Sequence, residues 1–77
     1  MTLDKAKSGK LCVVRGIMGG SALRQRLAAL GIHPGDIMQI VREALFHGPV
    51  LVRVNDVELA IGRGIASRIE VDEVPAP

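Results

Sequence analysis

Residues 21–36, SALRQRLAALGIHPGD, constrain the fold of this chain most, because they specify a helix, its end and the turn that follows. Leu23, Leu27 and Leu30 recur at the spacing that places side chains on one face of a helix. Ser21 follows two glycines and can cap the first turn, since its hydroxyl can accept a hydrogen bond from a backbone N–H that the helix leaves unpaired. The stretch therefore predicts one short helix with a leucine face.

Glycine and proline specify the end of this helix. Gly31 stands where the chain needs a left-handed conformation, which glycine adopts without a Cβ penalty. Ile32 comes next, at the position that packs back on Leu27 in a Schellman motif. Pro34 and Gly35 then match the two central positions of a type II turn. We expect the chain to leave this turn directly into a strand.

Alternating Val, Ile and Leu residues indicate strands in the rest of the chain. In the first strand, Leu11 and Val13 are expected to face the core, and Cys12 and Val14 the opposite side. The second strand carries apolar side chains on both faces, which is typical of a bulge or of a strand covered on both sides. A short helical turn after residue 62 leads into the last strand. The predicted strands are Leu11–Ile17, 37–44, Val50–Val54, Val57–Ile61 and 69–74.

The third and fourth strands predict a hairpin with a defined register. Asn55 and Asp56 form its two-residue link, and both residue types tolerate left-handed geometry. A one-residue slip would destroy the match of apolar side chains across the hairpin. The expected pairs are Val54 with Val57, Val52 with Leu59 and Val50 with Ile61 on one side, and Leu51 with Ala60 and Arg53 with Glu58 on the other.

Five short strands and one helix in 77 residues predict a mainly β fold. A barrel closes most strand edges and gives the valines and isoleucines a common core. We therefore expect a five-stranded SH3-like barrel, residues 1–77 in one domain, with the helix between strands 1 and 2 covering one open end. An OB-type barrel is the competing architecture. Residues 1–9 and 75–77 are expected to be flexible ends.

Composition argues against several classes of protein. The single cysteine, Cys12, excludes an internal disulfide framework. No apolar run approaches the length of a membrane span and the polar N-terminus is no signal peptide, so a cytoplasmic location without membrane insertion is expected. The net charge of +2 is mild, and Phe46 is the only aromatic residue. A nucleic-acid surface would be expected to carry more aromatic stacking platforms, so no nucleic-acid partner is expected.

The order of these motifs resembles the FeoA family. The likeness runs from about residue 8 to residue 74 and rests on RLAALGIHPGD, on the hairpin that begins His47-Gly48-Pro49, and on the ending IASRIEV. After the fourth strand the family commonly continues with Leu-Arg-Arg or similar. This chain has Ile61-Gly62-Arg63-Gly64 there, which puts in doubt any function assigned to basic residues at that corner.

The resemblance implies an SH3-like barrel, in agreement with the strand pattern. It also implies a non-enzymatic accessory or regulatory protein of ferrous-iron uptake, acting by contact with the cytoplasmic GTPase part of a FeoB-type membrane transporter. A related domain ends the iron-responsive DtxR-type repressors. The alternatives are therefore a metal-sensing or a nucleic-acid-binding module of the same fold.

Catalytic and metal-ligating side chains form no recognisable constellation in the sequence. The serines and Cys12 have structural explanations, and a hydrolytic triad needs a nucleophile, a base and an orienting group brought together. No dedicated metal site and no cofactor are expected, since CxxC, HxxxH and carboxylate clusters are absent. His33 and Asp36 lie three apart across a tight turn and could meet one ion weakly. His47 is the third weak candidate, so transition-metal binding is expected to be adventitious at most.

Function must then come from an outer surface, and two elements are candidates for it. Arg24 and Arg26 project from the helix away from the leucines. Phe46 and His47 occupy the loop before the hairpin, where Phe46 is either an exposed interface anchor or folds back on the barrel. We predict a partner interface formed by these four residues. The sequence leaves self-association open.

Overall fold

The computed structural model describes residues 1–75 of the chain. Five strands, two helices and one 3₁₀ turn follow each other in an order that matches the sequence prediction for the segment after residue 10. The elements are the 3₁₀ turn Leu3–Lys5, strand β1 Leu11–Ile17, helix α1 Ser21–Ala29, β2 Ile37–Arg42, β3 Val50–Val54, β4 Val57–Ile61, helix α2 Arg63–Ala66 and β5 Ile69–Glu73. The second and last strands are thus shorter than predicted, by two residues and by one.

The strands form one antiparallel sheet in the order β4-β3-β2-β1-β5. The β3–β4 hairpin has the predicted register at all five pairs, from Val50 with Ile61 to Val54 with Val57. Asn55 and Asp56 adopt φ angles of 50° and 65°, as a two-residue left-handed link requires. A guanidinium nitrogen of Arg53 lies 3.0 Å from a carboxylate oxygen of Glu58, so the predicted cross-strand ion pair forms. The bulge expected in β2 falls between Ile40 and Arg42.

An aliphatic core fills the interior of the curled sheet, as composition predicts. The assignment of faces in β1 is wrong, because Cys12 and Val14 are buried whereas Leu11 is exposed and Val13 only half-buried. Cys12 pairs with Met38 and Val14 with Val71, and both partners are buried too. Arg15 alternates with Leu11 and Val13 on the same face and is exposed, so its charge was the signal in the sequence that this face points outward. The buried residues are Leu3, Ala6, Cys12, Val14, Leu27, Ile32, Met38, Ile40, Val50, Val52, Val54, Ile61, Ala66, Ile69 and Val71.

Helix α1 ends as predicted. Gly31 has φ 87°, its N–H donates to the Ala28 carbonyl at 2.9 Å, and the Ile32 N–H donates to the Leu27 carbonyl at 2.9 Å. These are the two hydrogen bonds of a Schellman motif. Gly35 follows with φ 94°, and the Asp36 N–H closes the type II turn on the His33 carbonyl at 3.0 Å.

The start of α1 differs from the prediction by one residue. Ser21 is the first helical residue, and Gly20, which has no side chain to donate or accept, occupies the N-cap position. Gly19 reaches φ 127° just before it, so the chain turns into the helix one residue earlier than expected. The predicted serine cap is therefore wrong.

The predicted face of three leucines is only partly buried. Leu27 is buried and Leu23 is partly buried against the core, but Leu30 is 50% exposed. The reason is that the helix ends at Ala29, which leaves Leu30 at the C-cap outside the helical repeat. Ile32, beyond the glycine, takes the buried place instead.

The expectation that residues 1–9 are a frayed end is also wrong. Leu3 and Ala6 are fully buried, because a 3₁₀ turn places residues three apart on one face and that face packs on the core. The Val71 N–H donates to the Met1 carbonyl at 2.8 Å, which adds the chain start to the edge of β5. At the other end, Pro75 is outside any strand, and the expectation for residues 76–77 lies outside the described part of the chain.

A reciprocal contact ties the segment before β1 to the end of β2. The Glu43 N–H donates to Ser8 Oγ at 2.8 Å, and the Ser8 N–H donates to a Glu43 carboxylate oxygen at 3.4 Å. The Lys7 ammonium lies 3.5 Å from the same carboxylate. Hydrogen bonding from the Ser8 backbone lowers the pKa of Glu43, and the charge of Lys7 lowers it further.

We expect Glu43→Gln to remove a pH-dependent contribution to stability. A carboxylate whose pKa is lowered by folding stabilises the native state above its unfolded-state pKa, and this contribution is lost as the pH falls through the lower native value. The free energy of unfolding of wild type should therefore exceed that of Glu43→Gln at pH 7, and the difference should shrink as the pH falls below the unfolded-state value of about 4.3. Urea titrations followed by circular dichroism at several pH values measure the difference. An unchanged difference between pH 7 and pH 3 would contradict the assignment.

Candidate functional site: an exposed aromatic tip

The loop between β2 and β3 holds two apolar side chains away from the core. Ala44 packs against the core on one side of the loop, and Val50 is fully buried on the other. Between these anchors, Leu45 is 55% exposed and Phe46 is 98% exposed. We call residues 45–47 the tip. The structure excludes one of the two alternatives for Phe46, since this side chain does not fold back on the barrel.

The backbone of the tip is held in an uncommon conformation. Phe46 has φ 52° and His47 has φ 62°, and the Gly48 N–H donates to the Leu45 carbonyl at 2.8 Å across the turn. The β3–β4 hairpin makes a similar left-handed link from Asn55 and Asp56, whose short polar side chains tolerate it. A phenylalanine in this region costs about 1–2 kcal/mol.

Glycine is required at the end of the tip. A Cβ placed on Gly48 would lie 2.9 Å from the Leu45 carbonyl oxygen, closer than a carbon atom can approach. Pro49 follows, with φ restricted by its ring. Gly48-Pro49 therefore fixes how the tip leaves the barrel, while Phe46 gains no core contact that would offset its strain. Backbone strain at an exposed aromatic side chain is typical of a binding surface.

The structure does not bring the two halves of the predicted partner interface together. Helix α1 lies between the end of β1 and the start of β2, whereas the tip follows the end of β2, about 20 Å along that strand. The Asn55 side-chain amide donates to the Gly31 carbonyl at 3.3 Å, which places the end of α1 beside the hairpin link, at the end of β3 remote from the tip. Arg24 and Arg26 therefore belong to one end of the sheet, and Phe46 and His47 to the other.

On the helix, the two arginines differ in their surroundings. Both side chains are exposed. One guanidinium nitrogen of Arg24 donates to the Gly19 carbonyl at 2.8 Å and so braces the loop that enters α1. Arg26 has no ion-pair partner among residues 1–75.

Of the three weak metal candidates, two lie together at one end of the sheet and the third lies at the other end. His33 and Asp36 do meet, since His33 Nδ1 lies 3.2 Å from Asp36 Oδ2. The same oxygen also accepts the His33 backbone N–H at 2.7 Å, which makes Asp36 part of the turn itself. His47 lies at the far end of β2. Within residues 1–75, no group of three or more His, Cys, Asp or Glu side chains is arranged to hold a metal ion.

The candidate nucleophiles Cys12 and Ser67 have structural roles in the fold. Cys12 is buried in the core, and burial raises the pKa of its thiol, which disfavours the reactive thiolate. The Ser67 hydroxyl donates a hydrogen bond to the Gly64 carbonyl at 2.8 Å, within the turn that leads to β5.

In the described segment, no helix is both long and apolar enough to cross a membrane.

Sequence reasoning missed Leu45 as a surface residue. Its neighbour Phe46 was singled out, but Leu45 was not. The available signal was its place three residues before a glycine–proline step, where the chain turns and an apolar side chain has little chance of burial.

Comparison with known proteins identifies the family. The model of the FeoA domain family matches residues 1–73. A curated protein of Methanocaldococcus jannaschii, named "Putative Fe(2+) transport protein A", is 35% identical over 68 residues, covering 88% of this chain and 80% of its own. A crystal structure described as the iron uptake regulatory protein FeoA has 33% identity and a TM-score of 0.84, with 95% of each chain covered.

A further FeoA structure is itself described as an SH3 domain protein. FeoA of Stenotrophomonas maltophilia, solved in complex with zinc and described as a prokaryotic SH3 domain protein, has 28% identity and a TM-score of 0.78, covering 94% of this chain and 89% of its own. The predicted SH3-like barrel is therefore confirmed. With a family model spanning nearly the whole chain, this protein belongs to the FeoA family.

Proposed function

We propose that this chain is a non-enzymatic accessory protein of ferrous-iron uptake, located in the cytoplasm, which regulates a FeoB-type transporter by contact with its GTPase part. Support for the iron role comes from relatives named for Fe(2+) transport or iron uptake. The S. maltophilia relative is described as a candidate activating factor for ferrous-iron transport. The observation that carries the contact is the tip, where Phe46 is almost fully exposed on a turn with strained backbone angles.

The energetics of interfaces favour the tip as the principal contact. Exposed aromatic anchors that become buried on binding often dominate an interface, and a side chain held rigid before binding loses little entropy. Phe46 is fully available for such burial, the left-handed turn holds its backbone, and Leu45 widens the apolar surface beside it. His47 shares the left-handed turn and borders the same surface. Arg24 and Arg26, at the other end of the sheet, form a separate and electrostatic contact that would act on the rate of association.

Phe46→Ala is expected to weaken binding to the transporter's purified cytosolic GTPase domain by about 30-fold, since an anchor of this kind contributes about 2 kcal/mol. Isothermal titration with the wild-type chain and the variant measures this loss. The stability of the variant should stay unchanged, because the phenylalanine touches no core residue. Leu30→Ala is the control for loss of an apolar side chain, since Leu30 is 50% exposed at the opposite end of the sheet and its removal leaves both the tip and the charges of the two arginines in place.

A second experiment distinguishes the contribution of the two arginines to binding from that of the tip. Arg24→Glu/Arg26→Glu should slow association and reduce its dependence on salt, while the dissociation rate changes little. Wild-type affinity in Phe46→Ala would contradict the role of the tip. Lack of any binding by the wild-type chain at high micromolar concentration would contradict the partner itself. GTP hydrolysis by the domain, measured with and without the chain, reports whether contact regulates it.

A further inference from the structure

The two edge strands of the sheet differ, because one is covered by the start of the chain and the other is not. At β5, the chain start covers the edge: Thr2 bridges Glu70, and the Val71 N–H donates to the Met1 carbonyl at 2.8 Å. At β4, no residue of the described chain pairs with the outer edge. An uncovered edge presents main-chain donors and acceptors to any extended strand that approaches it.

The unpaired groups of β4 can be assigned from the hairpin register. Val57 directly follows the two-residue link, so it forms a hydrogen-bonded pair with Val54, and so do Leu59 with Val52 and Ile61 with Val50. Because the pattern alternates along an antiparallel strand, the N–H and C=O groups of the intervening residues, Glu58 and Ala60, point outward. Both residues are exposed, and neither makes a main-chain hydrogen bond outside the β3–β4 ladder.

Strand β4 also lacks the features that protect sheet edges. Its sequence, VELAI, contains no proline and no lysine, and its ladder with β3 shows no register shift, unlike the ladders of β1 with β5 and β2 with β3. The one charge, Glu58, is already paired with Arg53 of the same chain. Val57 is 49% exposed and Leu59 half-buried, so an apolar row borders the open edge.

We propose that a second copy of this chain docks on this edge, through antiparallel pairing of β4 with β4 about a two-fold axis at Leu59. In this register, Glu58 and Ala60 of each copy exchange their outward hydrogen bonds with Ala60 and Glu58 of the other. Leu59 meets Leu59, and Val57 meets Ile61. The apolar side chains therefore meet apolar ones on the core-facing side, and each glutamate faces an alanine on the outer side.

The neighbouring registers of a β4–β4 pair are less favourable, which is why its axis can be named. A shift of two residues in one direction sets Glu58 against Glu58, a like-charge pair directly across the strands. A shift in the other direction sets Val57 against Arg63. Strand β4 has only five residues and spans about 17 Å, so the interface is small and the dimer weak, with Kd of about 10 µM to 1 mM.

Ala60 allows a test with matched variants of opposite charge. Ala60 is exposed, so neither Ala60→Glu nor Ala60→Lys disturbs the core of the single chain. In the dimer, Ala60→Glu places a carboxylate against Glu58 of the other copy twice, and Ala60→Lys places an ammonium there twice. Sedimentation equilibrium up to millimolar concentration should show dimerisation by wild type, at least tenfold weaker for Ala60→Glu, and tighter for Ala60→Lys than for Ala60→Glu.

Two further measurements sharpen the test. Raising the salt concentration should bring the two variants closer together, because the difference between them is electrostatic. Concentration-dependent amide shifts in NMR spectra should centre on residues 57–61. A wild-type chain that stays monomeric at millimolar concentration would overturn the proposal, and so would equal dimerisation of both variants or shifts centred on the tip.

Discussion

Leu3→Ala is expected to lower the free energy of unfolding by about 2–5 kcal/mol, the range for deleting a fully buried leucine side chain. A chain of 77 residues has a total stability of roughly 4–12 kcal/mol, so this one change near the terminus would remove a large fraction of it. The physical reason is that Leu3 lies on the 3₁₀ turn that packs against β5 and α2. Urea unfolding measures the loss, followed by circular dichroism because the chain has no tryptophan or tyrosine.

Leu45→Ala is the matched control for this prediction. It deletes the same atoms from a side chain that is mostly exposed at the tip, and its effect should stay within about 0.5 kcal/mol. Equal and small effects of the two substitutions would mean that the segment before β1 adds nothing to the core.

Gly31→Ala should destabilise the protein by about 1–2 kcal/mol, which is the second large effect. Gly31 holds φ 87° between two Schellman hydrogen bonds, and an L-residue is strained in that region. No atom outside its own chain neighbours lies within 4 Å of a Cβ built there, so the cost comes from the local backbone and not from crowding by another element. The midpoint of urea unfolding, with its slope unchanged, reports the difference.

Gly64→Ala is expected to raise the free energy of unfolding in the same assay, the opposite of the effect of Gly31→Ala. Gly64 is inside helix α2, and a Cβ there also meets nothing within 4 Å. Alanine is the better helix former, so this variant should be more stable than wild type by up to about 1 kcal/mol. A midpoint that Gly31→Ala leaves unchanged would contradict the cost assigned to the left-handed conformation of Gly31.

Local chemistry explains why parts of the fold could be predicted closely. The β3–β4 hairpin follows from two residues, Asn55 and Asp56, that accept left-handed geometry, and from apolar positions that match in only one register. The end of α1 follows from Gly31 and Ile32 in the same manner. In each case the interactions that decide the structure join residues near each other in the sequence.

The candidate site was predicted only in part, for a related reason. Sequence reasoning named Phe46 and His47 but could not tell an exposed anchor from a side chain folded on the barrel. That difference depends on where Ala44 and Val50 attach the loop to the core. It also joined Arg24 and Arg26 to the same surface, whereas strand β2 separates the helix from the tip. Distance across a sheet depends on strand direction and pairing, which spacing along the chain does not contain.

The sequence by itself determined the elements whose hydrogen bonds and dihedral preferences are local: the strands, the stop of α1, the type II turn and the hairpin link. Only the tertiary structure decided which apolar residues became core. Cys12 rather than Leu11 faces inward, Leu3 is buried although it lies in a segment rich in lysine, and Leu30 is left half exposed. The physical reason is that burial depends on packing between elements distant in the sequence, which the spacing of residues along one element does not contain.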